Sequence, residues 1–222
     1  MDMEIKTYQE LDYIVRNPKN FVVDKKYPLV IYLHGAGGRG RNTELIFDHP
    51  FFKETDHLLG GVVSVAPQCY ENSWFTIFEQ LQHFIEYVIS WECIDVSRVY
   101  LIGASMGGYA TWQMAMSRPE WFAAIVPICG GGMYWNGIRL INMGVWAFHG
   151  EKDPVVFCEE SRKMVEAINR NGGNAKLTIY SNCEHNAWIP TFQNQEVWRW
   201  LLSHTLQNQE AKSICDNVEQ FG

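Results

Sequence analysis

The stretch Arg98-Val-Tyr-Leu-Ile-Gly-Ala-Ser-Met-Gly-Gly-Tyr109 decides the fold of this chain. Large apolar and β-branched residues run into Gly103-Ala-Ser105-Met-Gly107, and the apolar run that follows is typical of a buried helix. This order of strand, sharp turn and helix leaves the hydroxyl of a serine at the turn exposed. The G-x-S-x-G pattern alone occurs by chance in a chain with 18 glycines, so Ser105 is a candidate nucleophile that needs partners.

Strands and helices alternate on both sides of this turn. Apolar runs bounded by Gly, Pro or polar residues predict buried strands at 27–33, 60–67, 98–102, 122–129, 145–149 and 176–180. Helical periodicity between them predicts helices that include 75–91, 161–170 and 196–204. We therefore predict an α/β fold with a mostly parallel central sheet and helices on both faces.

Two later strand ends carry the partners that a serine nucleophile requires. Asp153 follows the strand ending at His149, and His185 follows the strand ending at Tyr180. Strands of a parallel sheet point the same way, so these loops meet at one edge. Asp153 alone would fit a helix N-cap before Pro154, and His185 alone an ordinary loop histidine. The three together predict Ser105 as nucleophile, His185 as base and Asp153 as the acid that orients it.

A glycine-rich loop, His34-Gly-Ala-Gly-Gly-Arg-Gly40, follows the first buried strand. Small residues leave backbone N–H groups free to point at a ligand. We expect the oxyanion hole to consist of the N–H of Met106, directly after the nucleophile, and the N–H of Ala36, with Gly37 as the alternative. His34 is expected to brace the loop.

Four motifs together resemble the α/β-hydrolase superfamily. They are Leu33-His-Gly-Ala-Gly-Gly, the segment from Asp95 through the turn to Trp112, His149-Gly-Glu-Lys-Asp-Pro-Val-Val, and His185-Asn-Ala-Trp. The chain is similar to the small phospholipase/carboxylesterase group, including feruloyl-esterase-like and predicted-peptidase members, over about residues 27–203. The resemblance implies an α/β-hydrolase fold and hydrolysis of carboxylic esters by Ser105, Asp153 and His185.

The spacing of the predicted elements leaves no room for a large lid. The site should therefore be open and suited to small acyl or aryl esters. Aromatic residues near predicted strand ends are candidates to line the substrate pocket: Trp188, Trp135, Trp74 and Tyr134. Trp188, three residues after the predicted base, is the strongest of them.

Composition narrows the class of partner and the location. The chain has 222 residues and a formal net charge of −7, which argues against nucleic acid or an anionic membrane and favours a small-molecule ester. Six scattered cysteines and unpatterned histidines predict no metal site, and no cofactor motif is present. Without an apolar leader we expect a cytoplasmic protein. We expect one domain over 1–204, with edge strands in 1–26 and a polar tail at 205–222; the oligomeric state stays open.

Two alternatives to an esterase remain open from the sequence. One is a serine peptidase of the prolyl-oligopeptidase type, although such relatives restrict access with an additional domain. The other is a non-catalytic α/β-hydrolase scaffold that binds a ligand or a protein, against which the complete set of Ser105, Asp153 and His185 argues.

Overall fold

The computed structural model describes residues 3–206 and contains one eight-stranded sheet. The strands are β1 Met3–Tyr8, β2 Leu11–Arg16, β3 Tyr27–Leu33, β4 Val63–Pro67, β5 Ile94–Ala104, β6 Ala124–Ile128, β7 Gly144–Gly150 and β8 Lys176–Tyr180. Their order across the sheet is β1-β2-β4-β3-β5-β6-β7-β8. Strands β3 to β8 are mutually parallel, and β1 and β2 form an antiparallel edge. The prediction of a mostly parallel sheet is confirmed.

Seven helices cover the two faces of the sheet in the described part of the chain. They are α1 Glu44–Phe47, α2 Pro50–Thr55, α3 Phe78–Ile89, α4 Met106–Ser117, α5 Glu159–Arg170, α6 Trp188–Gln193 and α7 Gln195–Leu202. Apolar side chains of α3, α4 and α5 fill one core cluster, and those of α2, α6 and α7 fill the other. The layers are therefore helix, sheet and helix, as predicted.

The central strand β3 shows why the sequence builds this arrangement. Leu29, Ile31 and Leu33 enter one core, whereas Val30 and Tyr32 enter the other. All seven residues of the strand are buried. A strand covered on both faces needs apolar side chains at consecutive positions, which is the unbroken run seen in the sequence.

The topology brings three loops to one edge of the sheet. Because β5, β7 and β8 run in the same direction, the residues that follow their last positions lie at the same end. Ser105 directly follows β5, and Asp153 and His185 lie in the loops after β7 and β8. No helix among residues 3–206 covers this edge as a large lid.

One local prediction differs from the structure. The helix predicted from residue 75 begins only at Phe78, because Ser73 to Thr76 form a hydrogen-bonded turn. After β6, the chain forms a short 3₁₀ helix, Tyr134–Leu140, which packs on α5. From residue 207 onward the predicted polar tail lies outside the described residues. The helices of residues 3–206 are all too short or too polar to cross a membrane.

Candidate active site

The turn between β5 and α4 holds Ser105 in a strained backbone conformation. Its φ is 55° and its ψ −116°, a region that non-glycine residues rarely occupy. Gly103 and Gly107, on either side of Ser105, permit close packing of β5, α4 and β3. A Cβ on Gly103 would lie 2.1 Å from the Gly107 carbonyl oxygen, and one on Gly107 would lie 1.9 Å from the Leu33 carbonyl oxygen. The strand and helix can therefore approach closely enough to project the serine side chain from the turn.

A continuous chain of hydrogen bonds links the three predicted residues. Ser105 Oγ lies 2.8 Å from His185 Nε2, and His185 Nδ1 lies 2.7 Å from Asp153 Oδ2. Asp153 Oδ1 accepts hydrogen bonds of 2.9 Å from the N–H groups of Val155 and Val156. The carboxylate can only accept, so His185 carries its hydrogen on Nδ1 and presents the Nε2 lone pair to Ser105.

The environment of Asp153 keeps its carboxyl group ionised. Burial acts to raise the pKa, but hydrogen bonds from His185, Val156 and Val155 together outweigh it, and the pKa lies below the usual range of an aspartate. A depressed folded-state pKa means that this carboxylate stabilises the fold above the pKa of an unfolded aspartate, about 3.9. That contribution is lost as the pH falls through the lower folded-state pKa.

The side chain of His34 joins the glycine-rich loop after β3 to the backbone that follows β4. Nε2 of His34 accepts a hydrogen bond of 2.9 Å from the Cys69 N–H, so Nδ1 carries the hydrogen and donates to the Gly35 carbonyl at 2.6 Å. Trp74 Nε1 donates to the His34 carbonyl at 3.0 Å. Burial lowers the pKa of His34 to about 4. Both ring nitrogens are engaged with backbone, which fits the bracing role expected from the sequence.

Gln68 holds the far end of the same loop. Its side-chain amide donates to the carbonyl oxygens of Gly38 and Asn42, both at 2.9 Å. Gly40 in turn donates its N–H to the Cys69 carbonyl at 2.9 Å. The loop is therefore attached to the end of β4 at several points, which restrains the backbone from Gly35 to Gly38 beside Ser105.

Two neutral histidines, the buried His34 and the half-buried His49, predict an acid-sensitive fold. Burial lowers the pKa of His34 and that of His49 to about 4, whereas an unfolded histidine titrates near 6.5. Between these values the unfolded chain binds more protons, so the free energy of unfolding falls as the pH is lowered. We expect up to about 2 kcal/mol per ring to be lost between pH 8 and pH 5, measured by urea unfolding.

The variant His49→Asn isolates one of these two contributions. Asparagine can still accept the Phe51 N–H at the start of α2, as His49 Nδ1 does at 3.2 Å. The loss of stability between pH 8 and pH 5 should shrink by up to about 2 kcal/mol, the contribution of this one ring. His57→Gln, at an exposed position, is the control and should leave the pH dependence unchanged. An unaltered pH dependence in His49→Asn would contradict the assignment.

The predicted oxyanion donors lie on the two elements that flank Ser105. Met106 is the first residue of α4, and Ala36 and Gly37 begin the short 3₁₀ helix Ala36–Gly38. None of their three N–H groups donates to another residue in the described part of the chain. A Cβ on Gly35 would lie 3.4 Å from Ser105 Cβ. The loop thus reaches the serine with unused donors.

A cavity of about 400 Å³ adjoins Ser105 and His185. Gly35 to Gly38 and Trp188 line it. The indole of Trp188 meets the imidazole of His185 edge to face, with ring centroids 5.6 Å apart. Besides Ala104 of the Ser105 turn, the cavity is also lined by Leu45, His49 and Val155. They were not anticipated from the sequence, since Leu45 and His49 carry no motif; Val155, two residues after Asp153, could have been inferred.

Three aromatic residues predicted to line the pocket do not border this cavity. Trp74 is fully buried in the core and bonds to the His34 backbone. Tyr134 and Trp135 are 51% and 71% exposed on the 3₁₀ helix that packs against α5. Proximity to a strand end does not fix side-chain direction, which here is set by core packing for Trp74 and by the 3₁₀ helix for the other two. Of the four candidates, only Trp188 lines the cavity.

A cysteine that the sequence did not single out lies close to the predicted acid, Asp153, and the predicted base, His185. Cys129 directly follows β6, is fully buried, and has a φ of 49°. Its Sγ, one Asp153 carboxylate oxygen and one His185 nitrogen lie within 4.8 Å of one another. The sequence predicted no metal site because these residues are far apart in the chain. The fold brings three potential ligands together, which no spacing rule would have detected.

A second imidazole contacts the same carboxylate. His149 Nε2 lies 3.4 Å from Asp153 Oδ2 and 2.8 Å from the Val156 carbonyl oxygen. Both neighbours are acceptors, so Nε2 carries a hydrogen. Nδ1 of His149 lies 2.7 Å from Ser161 Oγ. The buried ring thereby ties the Asp153 loop to the start of α5.

Comparison with known proteins decides the family. A sequence profile of the dienelactone hydrolase family matches residues 63–197, more than half of the chain. The chain belongs to the dienelactone hydrolase family. The match includes the Ser105 turn and the loops of Asp153 and His185.

Individual members and structural neighbours extend this result. The chain is 26% identical over 175 residues to a probable feruloyl esterase C of Aspergillus terreus, covering 73% of this chain and 62% of that protein. The crystal structure of a thermostable esterase superposes with a TM-score of 0.79 at 34% identity, covering 92% of this chain and 63% of that one. A dienelactone hydrolase of Klebsiella pneumoniae, itself described as putative, superposes at 0.69 with 17% identity, covering 90% and 96%. The present chain thus spans less than two-thirds of the length of the first two proteins. Its fold is that of the α/β-hydrolases.

Proposed function

We propose that this protein is a serine carboxylesterase that cleaves esters of small acyl or aryl substrates through an acyl-enzyme. The observation that carries the proposal is the uninterrupted hydrogen-bond chain from Ser105 Oγ through His185 to Asp153. A serine hydroxyl is a weak nucleophile until a base removes its proton, and this chain supplies an oriented base. The esterase and feruloyl-esterase names of its relatives support the same reaction class.

In the proposed reaction, Ser105 Oγ attacks the ester carbonyl carbon as its proton moves to His185 Nε2. The imidazolium keeps its Nδ1 hydrogen on Asp153, whose negative charge stabilises it. His185 then donates the Nε2 proton to the leaving alcohol, and the acyl group stays on Ser105. Water, deprotonated by the same Nε2, attacks the acyl-enzyme in the second half, and Ser105 leaves with its proton restored.

The tetrahedral oxyanion would be held by the backbone N–H groups of Met106 and Ala36, with Gly37 as the alternative donor. Met106 begins α4, where the helix dipole also favours negative charge. The donors on the glycine-rich loop are held in place by His34 and Gln68 rather than by substrate. Such preorganised donors are each worth about 10²- to 10³-fold in rate.

The cavity beside Ser105 favours a compact, partly apolar substrate. Trp188, Leu45 and Val155 offer apolar surface, and the site opens to solvent without a large lid in the described part of the chain. A volume of about 400 Å³ accommodates a short acyl or single-ring group. We therefore propose short-chain and aryl esters as the substrate class.

The function is tested by comparing p-nitrophenyl acetate with its amide counterpart, p-nitroacetanilide. The proposal predicts ester hydrolysis with an initial burst of p-nitrophenol, because acylation by this activated ester is faster than hydrolysis of the acyl-enzyme, which therefore accumulates. It predicts little or no anilide hydrolysis. Comparable turnover of the anilide would favour a peptidase, and turnover of neither compound would favour a binding scaffold.

A further inference from the structure

The proposed acid and base, together with the neighbouring Cys129, form a group with the ligand types of a metal site. Cys129 offers a sulfur, Asp153 a carboxylate oxygen and His185 an imidazole nitrogen, all within 4.8 Å of one another. Sulfur, nitrogen and carboxylate oxygen are the ligand types that bind Zn²⁺, at about 2.0–2.3 Å from the ion. Ligand atoms around a tetrahedral ion are then about 3–4 Å apart. Small adjustments would therefore complete three bonds.

The backbone around Cys129 favours this interpretation over a simple core cysteine. Its φ of 49° is rare for a residue with a side chain, and such strain costs about 1–3 kcal/mol and concentrates at functional sites. Burial and the neighbouring Asp153 carboxylate raise the pKa of the thiol to about 12, while backbone hydrogen bonds from Ala187 and Gly150 act in the opposite direction. The same groups would stabilise a metal-bound thiolate.

Of the three side chains, that of His185 is the one that solvent reaches. The His185 side chain is 22% exposed, whereas that of Asp153 is fully enclosed. His185 lies in the loop between β8 and α6 rather than in either element. A shift of this imidazole would widen the 2.7 Å gap between Nδ1 and Asp153 Oδ2 enough for an ion to enter. The neighbouring His149 already bonds to Val156 and Ser161 and is not needed as a ligand.

We propose that Cys129, Asp153 and His185 form an inhibitory site for a thiophilic divalent cation of the zinc class. Cys129 releases its thiol proton to solvent and binds as thiolate. The hydrogen of His185 moves from Nδ1 to Nε2, and the Nδ1 lone pair binds the ion. Nε2 can then only donate to Ser105 Oγ and cannot take its proton. One proton is released per ion, and no oxidation occurs.

The inhibition of hydrolysis by the cation rests on the proposed function, whereas the binding of the cation does not. Binding is therefore measured separately from activity. Cd²⁺ is titrated into the Ser105→Ala variant, which lacks the nucleophile but retains all three ligands. The ultraviolet charge-transfer band of a Cd–thiolate bond reports binding. We expect one tight equivalent, and in Ser105→Ala/Cys129→Ser an affinity weaker by at least about 100-fold, the upper range for losing a partner of a ligand.

Cys183→Ser is the matched control in the same background. Cys183 lies two residues before His185 with its Sγ 3.1 Å from Asn186 Oδ1, outside the cluster. The control should bind Cd²⁺ unchanged. If Cys129→Ser does not fold, His185→Gln, at a partly exposed loop position, must weaken the affinity instead. Absence of a tight site, a band that persists in Cys129→Ser, or a band lost only in Cys183→Ser would each overturn the proposal.

The inhibitory consequence is measured on the wild-type enzyme. Zn²⁺ should lower ester hydrolysis, a chelator should restore it, and Cys129→Ser should need at least about 100-fold more Zn²⁺ for the same inhibition relative to its own uninhibited rate. Equal sensitivity of Cys129→Ser and wild type would contradict the link between this site and activity. An enzyme without esterase activity that still binds one Cd²⁺ through Cys129 would refute the proposed function and keep the site.

Discussion

Ser105→Ala is expected to lower kcat/KM for a short p-nitrophenyl ester by about 10⁴- to 10⁶-fold, the range found when a serine hydrolase loses its nucleophile. The serine occupies a strained turn at the end of β5 and bonds directly to His185 Nε2 at 2.8 Å. Alanine removes the attacking oxygen and leaves the base without a proton to accept. Residual activity would reflect the oxyanion donors and the cavity alone.

The control for this variant is Ser181→Ala. Ser181 is an exposed serine after β8, at the beginning of the loop that carries His185, so it tests whether losing any hydroxyl near the site affects turnover. Its kcat/KM should remain close to wild type. A Ser105→Ala enzyme within about tenfold of wild type would place the nucleophile elsewhere, since tenfold corresponds to only about 1.4 kcal/mol of transition-state stabilisation.

Asp153→Asn is expected to reduce kcat by about 10⁴-fold with a smaller effect on KM. Oδ1 accepts from two backbone N–H groups, which fixes the Asn carbonyl oxygen at that position and turns the NH₂ group toward His185 Nδ1. An NH₂ group can only donate, so Nδ1 must give up its hydrogen. His185 then carries its hydrogen on Nε2 and cannot accept the Ser105 proton.

Glu151→Gln is the matched control for the acid. Glu151 is an exposed carboxylate two residues before Asp153 and should tolerate the same change from acid to amide. Circular dichroism and urea unfolding would show that Asp153→Asn remains folded. An Asp153→Asn enzyme with kcat within about tenfold of wild type would show that this carboxylate does not set the tautomer of His185.

The sequence was sufficient for the parts of the fold that depend on periodicity and order. The apolar run of β3 is continuous because both faces of the strand are covered, and the alternation of strands and helices determines a parallel sheet. Once the sheet is parallel, Ser105, Asp153 and His185 must share an edge. That placement brings the three residues near one another, and the structure adds the hydrogen bonds that join them.

The features of the candidate site that the sequence did not predict depend on side-chain direction and on contacts between segments far apart in the chain. Trp74 and Trp135 both follow predicted site-side elements, yet one turns into the core and the other toward solvent. Neither direction is encoded by position relative to a strand end. Leu45 and Cys129 reach the site from elements without a motif, through packing that only the folded chain reveals. The lining of the cavity was therefore harder to predict than the placement of Ser105, Asp153 and His185 at one edge of the sheet.

The most direct test of the account is to treat the wild-type protein with a fluorophosphonate and to locate the modification by mass spectrometry. We expect a single adduct on the peptide that contains Ser105, because only an activated serine attacks phosphorus under mild conditions. In His185→Gln the labelling rate should fall steeply, since the base is gone. No adduct on the folded protein, an adduct on another residue, or equally fast labelling in His185→Gln would contradict a catalytic role for the Ser105–His185–Asp153 chain.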